Sequence, residues 1–159
     1  MAVNAVRMAD EWFSHRQKTD RTGRLIEKVL ADRSTEERMR AITELGSSRD
    51  HAAAGLLIDC CHDQDPEIRR SAIIGLQNLR SGRAVSVLID RLRDKDELRE
   101  TRQHAASALA AIRSYRAIQE LRSRYADTDE DSALRFFIGR ELDRVHILVS
   151  PSHGPVPSF

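Results

Sequence analysis

Side chains that return at a fixed interval leave a chain few folds to choose from, and here they return at 31 and then at 33 residues. Ala41, Leu45, Ala53, Leu57, Asp63 and Asp65 are met again 31 positions on as Ala72, Leu76, Ala84, Leu88, Asp94 and Asp96. A further 33 positions on stand Ala105, Leu109, Ala117, Leu121, Asp127 and Asp129. The two extra residues fall in the Asp96 to Arg102 connection, where a loop absorbs them. An arginine (Arg38, Arg69, Arg102) precedes each first alanine by three, and Arg135, Ile138 and Leu142 hold these places in a partial fourth copy.

Within a copy the apolar period is helical. Ile68, Ala72, Leu76 and Leu79 share one face of a first helix, and Ala84, Val85, Leu88 and Leu92 mark the buried face of a second. Asp65-Pro66-Glu67 reads as an N-cap acceptor, a proline at the first helical position and an acid at the positive end of the dipole. Ser34 with Glu37 reads as a capping box, and Gly46 and Gly82 fall where turns are expected. The chain therefore parses as a single repeat domain, 1–147. Its helix pairs lie at about 1–33, 34–64, 65–95 and 96–128, with a terminal helix at 129–147. The degenerate first pair comprises Asn4 to Lys18 and Arg24 to Ala31. The segment 148–159, with three of the four prolines, is expected to be a flexible tail.

One such pair cannot bury enough apolar surface to offset the entropy of ordering it, so pairs must stack and the ends must be closed. Aromatics are 4% of the chain, so the core is built from aliphatic side chains and favours closely packed helices. Val3, Val6, Trp12 and Phe13 are the candidates to close the front, and Phe136, Phe137 and Val145 the back.

The pattern of Asp65, Ile68, Arg69, Ala72 and Leu76, followed by Arg83, Ala84, Leu88, Leu92 and Asp94, resembles HEAT repeats. It is most similar to the short HEAT-like type named after phycobilin lyases. Arg102, Ala105, Leu109, Arg116, Ala117, Leu121 and Asp127 repeat it. The resemblance covers roughly Ser34 to Val145 and implies an all-α fold, an α-solenoid of the armadillo-type superhelix class. Glu37 and Thr101 depart from it in replacing the apolar residue before the arginine, as does Ala52 in replacing an arginine. The Trp-Leu-Gly-Tyr pattern of tetratricopeptide repeats and the Thr-Pro-Leu-His of ankyrin repeats are absent. HEAT-like deoxyhypusine hydroxylases carry His-Glu pairs for iron, and no His-Glu pair occurs in this sequence.

Two sets of residues stand out as sites. Arg38, Arg69, Arg102 and Arg135 recur in step with Asp63, Asp94 and Asp127, so they are expected to pair with these loop acids and tie neighbouring repeats together. The second helices of such arrays line a concave face. At 100° per residue that face carries Arg24 and Lys28, then Asp59 and His62, then Arg83, Ser86, Asp90 and Arg93, then Arg116 and Gln119. Mixed charge and small central residues suit a peptide or protein surface. Cys60 and Cys61 are adjacent, so their side chains diverge by about 100° and do not share a tetrahedral site. Cys61 occupies the slot of Leu92 and Tyr125 and is expected in the core, with Cys60 partly exposed.

No nucleophile elbow, phosphate-binding glycine loop or metal-ligand spacing of histidines occurs, so no catalytic residue, metal or cofactor is assigned. The two adjacent cysteines suit a reducing compartment. Neither a bilayer-length apolar run nor a signal core is seen, so a cytoplasmic location off the membrane is expected. The leading reading is a non-catalytic scaffold that binds a protein or peptide. A bilin lyase or lyase-like chaperone is the enzymatic alternative, suggested by the repeat's family alone. Nucleic-acid binding is the third, against which stand a net charge of +1 and the acids Asp59 and Asp90 on the face.

Overall fold

A computed structural model describes residues 20–31 and 34–149, with side chains up to residue 145. The helices are α1 (20–30), α2 (Thr35–Ser47), α3 (Ala54–Cys60), α4 (Pro66–Leu79), α5 (Val85–Arg93), α6 (Arg99–Ile112), α7 (Tyr115–Ala126) and α8 (Ser132–Val149). Short 3-10 turns, His51–Ala53 and Gly82–Ala84, lead into α3 and α5. The expected helix Asn4 to Lys18, the front-closing Val3, Val6, Trp12 and Phe13, and all but the first two residues of the expected tail lie outside the described residues. Those two, 148–149, complete α8.

Residues 34–149 form an all-helical solenoid. The first helices stack in order, α2 on α4, α4 on α6 and α6 on α8, while α3, α5 and α7 lie against them as a second layer. The repeat positions make the core. Ala72, Leu76, Ala84, Leu88, Ala105, Leu109, Ala117 and Leu121 are all fully buried. Burying each leucine is worth about 1.5–3 kcal/mol, and each alanine keeps neighbouring helices close.

Helix starts follow local chemistry. Ser34 Oγ accepts from the Glu37 N–H at 3.3 Å, and the Asp65 carboxylate from the Glu67 N–H at 2.9 Å with Pro66 at the first turn. Helix ends do not follow the glycines. Among the described residues no glycine has positive φ; the left-handed ones are Arg49 (φ 55°), Arg80 (φ 49°) and Arg113 (φ 57°). Gly82 lies in the 3-10 turn, and Gly46 lies inside α2, where a Cβ would come within 2.4 Å of the Gly75 Cα. Gly46 is thus a point of backbone contact between α2 and α4, not a turn residue.

The far end is closed differently from expectation. Val145 is buried and Phe137 half-buried, but Phe136 is 69% exposed because α8 has no following helix among the described residues. Tyr125, in the core slot of Cys61 and Leu92, is half-exposed, its ring lying over Gly139 of α8. Cys60 is buried alongside Cys61 instead of partly exposed, because its place at the end of α3 lies under α1 and Arg38.

Candidate functional site

The recurring arginines act as stitches between repeats. Arg38 donates to Asp63 at 2.6 Å and to the Val29 carbonyl at 3.2 Å. Arg69 grips Glu97 through two bonds of 2.6 and 3.0 Å, and donates to the carbonyls of Asp63 and Gln64. Arg102 joins Glu130 at 2.7 Å and the Leu92 carbonyl at 2.8 Å. Arg135 donates to the Tyr125 carbonyl at 3.1 Å. Each therefore ties its helix to the end of the preceding pair, and the first three also hold the loop that follows.

The acids differ from those expected for Arg69 and Arg102. Asp94 and Asp127 instead accept the N–H groups of Asp96 and Asp129, as Asp63 does for Asp65, closing an Asx turn in each loop. They also pair with Arg91 at 3.2 Å and Arg124 at 3.1 Å. That leaves Glu97 and Glu130, three residues further on, facing the stitching arginines. Both are held below the ordinary glutamate value of 4.5. Burial alone would raise them; the arginine bond and a backbone N–H from the next residue outweigh it. The first loop has Pro66 in that place, so Arg38 uses Asp63.

The second-helix face is built from the outward side of α3, α5 and α7. Asp59, His62, Arg83, Ser86, Asp90, Arg116 and Gln119 are exposed there. The structure joins them across repeats. Arg116 donates to Ser86 Oγ at 3.0 Å, and Arg83 Nη2 lies 3.9 Å from where a Gly55 Cβ would sit. Gly55 and Ser86 are equivalent positions, so each arginine reaches back over the small residue of the preceding helix.

Other members of the set are engaged by neighbouring helices or lie on α1. Arg93 is exposed, but its guanidinium is held by Glu120 of α7, the first bond measuring 2.7 Å. Glu120 is buried in the slot of Leu56 and Val87, a partner the repeat pattern conceals. Lys28 lines a cleft with Glu37, Arg40 and Glu44 of α2. Arg24 is exposed on α1, where nearby Arg21 approaches Glu44 at 3.7 Å. An open groove of about 460 Å³ runs between the end of α1 and α3, lined by Leu30, Leu56, Asp59, Cys60 and the Arg38–Asp63 pair. Its apolar members were not marked by the repeat.

Burial pushes the Cys60 thiol up to about 11 and Cys61 to about 12, Arg38 partly opposing the first. Thiolate, the reactive form, is therefore scarce at neutral pH. Alkylation of the native protein near neutral pH is expected to be at least about a hundredfold slower than in denaturant, both cysteines reacting once unfolded. Rapid native labelling of Cys60 would show that α1 lifts away from the end of α3. The raised values favour the folded state fully below the ordinary pKa of 9.0, and that contribution is lost as pH climbs through about 11 to 12.

Among the described residues no group of three or more His, Cys, Asp or Glu is placed to hold a metal, and no helix is long and apolar enough to cross a membrane. No curated protein matches the sequence. Human deoxyhypusine hydroxylase, solved in complex with glycerol, superposes with a TM-score of 0.72 at 18% identity. The match covers 90% of this chain and 51% of that one, so the chain spans about half the enzyme's length and the likeness is one of fold. The family model for HEAT repeats matches residues 23–101 and 75–136, over the same helices whose arginine stitches and buried Ala-Leu positions define the solenoid. The chain belongs to the HEAT-repeat family.

Proposed function

We propose that this protein is a non-catalytic interaction scaffold whose second-helix face binds a protein or peptide. The observation behind this is the register of that face. Gly55, Ser86 and Gln119 form a line along it, and Arg83 and Arg116 lie across the first two. Small residues flanked by cations, with Asp59 and Asp90 further along, make a surface that recognises shape and charge together. We assign the repeats to the short phycobilin-lyase type on the register of Arg69, Ala72, Leu76, Ala84, Leu88 and Asp94; this assignment concerns structure and carries no bilin chemistry. The adjacent free cysteines suit a cytoplasmic, reducing setting.

The test is a partner captured by cross-linking to the immobilised chain, followed by the double change Arg83→Glu with Arg116→Glu. Both side chains are exposed, so helicity should be unchanged while retention of the partner falls at least about tenfold, as reversed charges repel the groups they matched. Undiminished capture by the double variant would move the partner off this face.

A further inference from the structure

The two edges of the solenoid carry opposite charge. Where one pair passes to the next, segments 61–65, 94–98 and 127–131 hold nine acids and one lysine. Where a first helix turns into its second, segments 48–53, 80–84 and 113–117 hold five arginines and one aspartate. The formal net charge of +1 conceals this separation. The acidic edge is engaged from within by Arg38, Arg69 and Arg102. The basic edge differs. Its one acid, Asp50, accepts from the Thr22 hydroxyl and the Ala52 N–H. The guanidinium groups of Arg80, Arg83 and Arg113 meet no carboxylate among the described residues.

We propose that this basic edge docks an acidic, extended protein segment. The backbone supplies the first argument. Arg49, Arg80 and Arg113 occupy the same place in three successive repeats, and all three have positive φ. Glycine adopts that conformation without strain, and a non-glycine residue there costs stability. The dipole at the end of each first helix favours a cation in the last turn, but not specifically at the strained position. Three arginines in register stand where glycine would be unstrained, so backbone preference does not account for the row.

Spacing supplies the second argument. Stacked helices lie about 8–10 Å apart, so successive arginines of the row recur at that interval. A polyproline II segment brings every third side chain to one face at about 9.3 Å, which matches it. Arg49 and Arg80 also line a polar groove of about 360 Å³ with Gln77 and Asn78, donors and acceptors for a peptide backbone. A second copy of this chain is disfavoured as occupant, since Asp63, Glu97 and Glu130 of its acidic edge are already held by its own arginines. Duplex nucleic acid is disfavoured because it would extend across the second-helix face, where Asp59 and Asp90 are exposed.

This edge lies outside the face proposed above except at Arg83 and Arg116, so the experiment uses Arg80 and Arg113. The full chain is titrated at low ionic strength into a fluorescein-labelled peptide of Glu-Pro-Pro repeats, read by anisotropy. A peptide of equal composition with its glutamates clustered is the comparison. The evenly spaced peptide should bind more tightly, and salt should weaken it. Arg80→Gly with Arg113→Gly should weaken binding about tenfold while raising the melting temperature, because strain is relieved as the contacts are lost. Gln119→Trp, a bulky uncharged change on the second-helix face, should leave peptide affinity unchanged. The proposal is overturned if the wild type does not bind, if the glycine variant binds as well as wild type, if both peptides bind equally, or if an oligothymidylate of equal charge binds more tightly than the peptide. Loss of peptide binding in the Gln119→Trp variant alone would also overturn it and leave the second-helix face standing.

Discussion

Gly46→Ala lowers stability by about 3 kcal/mol, a drop of roughly 6–12 °C in melting temperature for a domain of this size. The cause is a single methyl group. The new Cβ would stand 2.4 Å from the Gly75 Cα and 3.3 Å from its carbonyl carbon, inside any tolerable contact. Its neighbours there are backbone, so no side chain can rotate away. The two helices must separate, and Leu45 and Leu76, both fully buried, sit one residue from the collision on either side. A gain of up to about 1 kcal/mol in helix propensity offsets only part of this.

Two sister substitutions make the explanation specific. Gly75→Ala places a Cβ 3.1 Å from a Leu57 methyl and 3.4 Å from the Gly46 Cα, which the leucine can partly accommodate; about 1 kcal/mol is expected. Gly139→Ala meets the Tyr125 ring at 2.8 Å, but that ring is 49% exposed and swings outward, so the change should fall within about 0.5 kcal/mol. Urea titrations of all three decide it. If all three substitutions instead stabilise by a similar amount, helix propensity and not the α2–α4 contact sets the effect.

The parts of this fold that were legible in the sequence are those that repeat and obey a period. Alanines and leucines 31 and 33 residues apart announce the core because burial admits few side chains there, and each proves buried. The exposure of Arg83, Ser86, Asp90 and Gln119 follows from the helical period. What escaped notice depends on context. Asp94 recurs and looks like the partner of Arg69, but its carboxylate closes its own loop and leaves Glu97 to face the arginine. Glu97 and Glu130 also recur, yet Pro66 interrupts the series and hides it. Glu120 lies in a slot that is Leu56 and Val87 elsewhere, so nothing in the pattern shows that it captures Arg93. Phe136 reads as an end cap by composition alone, whereas its direction is set by α8, which turns it outward. The register of Arg49, Arg80 and Arg113 was not marked, and their left-handed backbone gave no signal, because that conformation is ordinarily signalled by glycine or asparagine.

Removing one member of the Arg102–Glu130 pair costs about 3–5 kcal/mol, whereas removing both costs far less. Each residue is only 5% exposed, so Arg102→Ala leaves a carboxylate that water cannot reach freely and Glu130→Ala leaves an unpaired guanidinium. Arg102→Met with Glu130→Leu replaces two buried charges by apolar groups and should approach wild-type stability, short of what the lost bonds to the Leu92 carbonyl and from the Asp131 N–H contribute. Arg38→Ala, at the more exposed Arg38–Asp63 pair, should cost only about 1 kcal/mol. The pH dependence follows from the same contacts. Asp63, Glu97 and Glu130 are held below their ordinary values of 3.8, 4.5 and 4.5. A depressed carboxylate binds its proton less tightly folded than unfolded, so its stabilisation is complete above those values and disappears as pH falls through the lower folded ones. The wild type should therefore lose stability steeply on acidification below about pH 5, and the Arg102→Met/Glu130→Leu variant less steeply, since it carries one such carboxylate fewer. Parallel acid titrations for the two proteins would show instead that the stitches hold the repeats in register without supplying the acid-sensitive part of their stability.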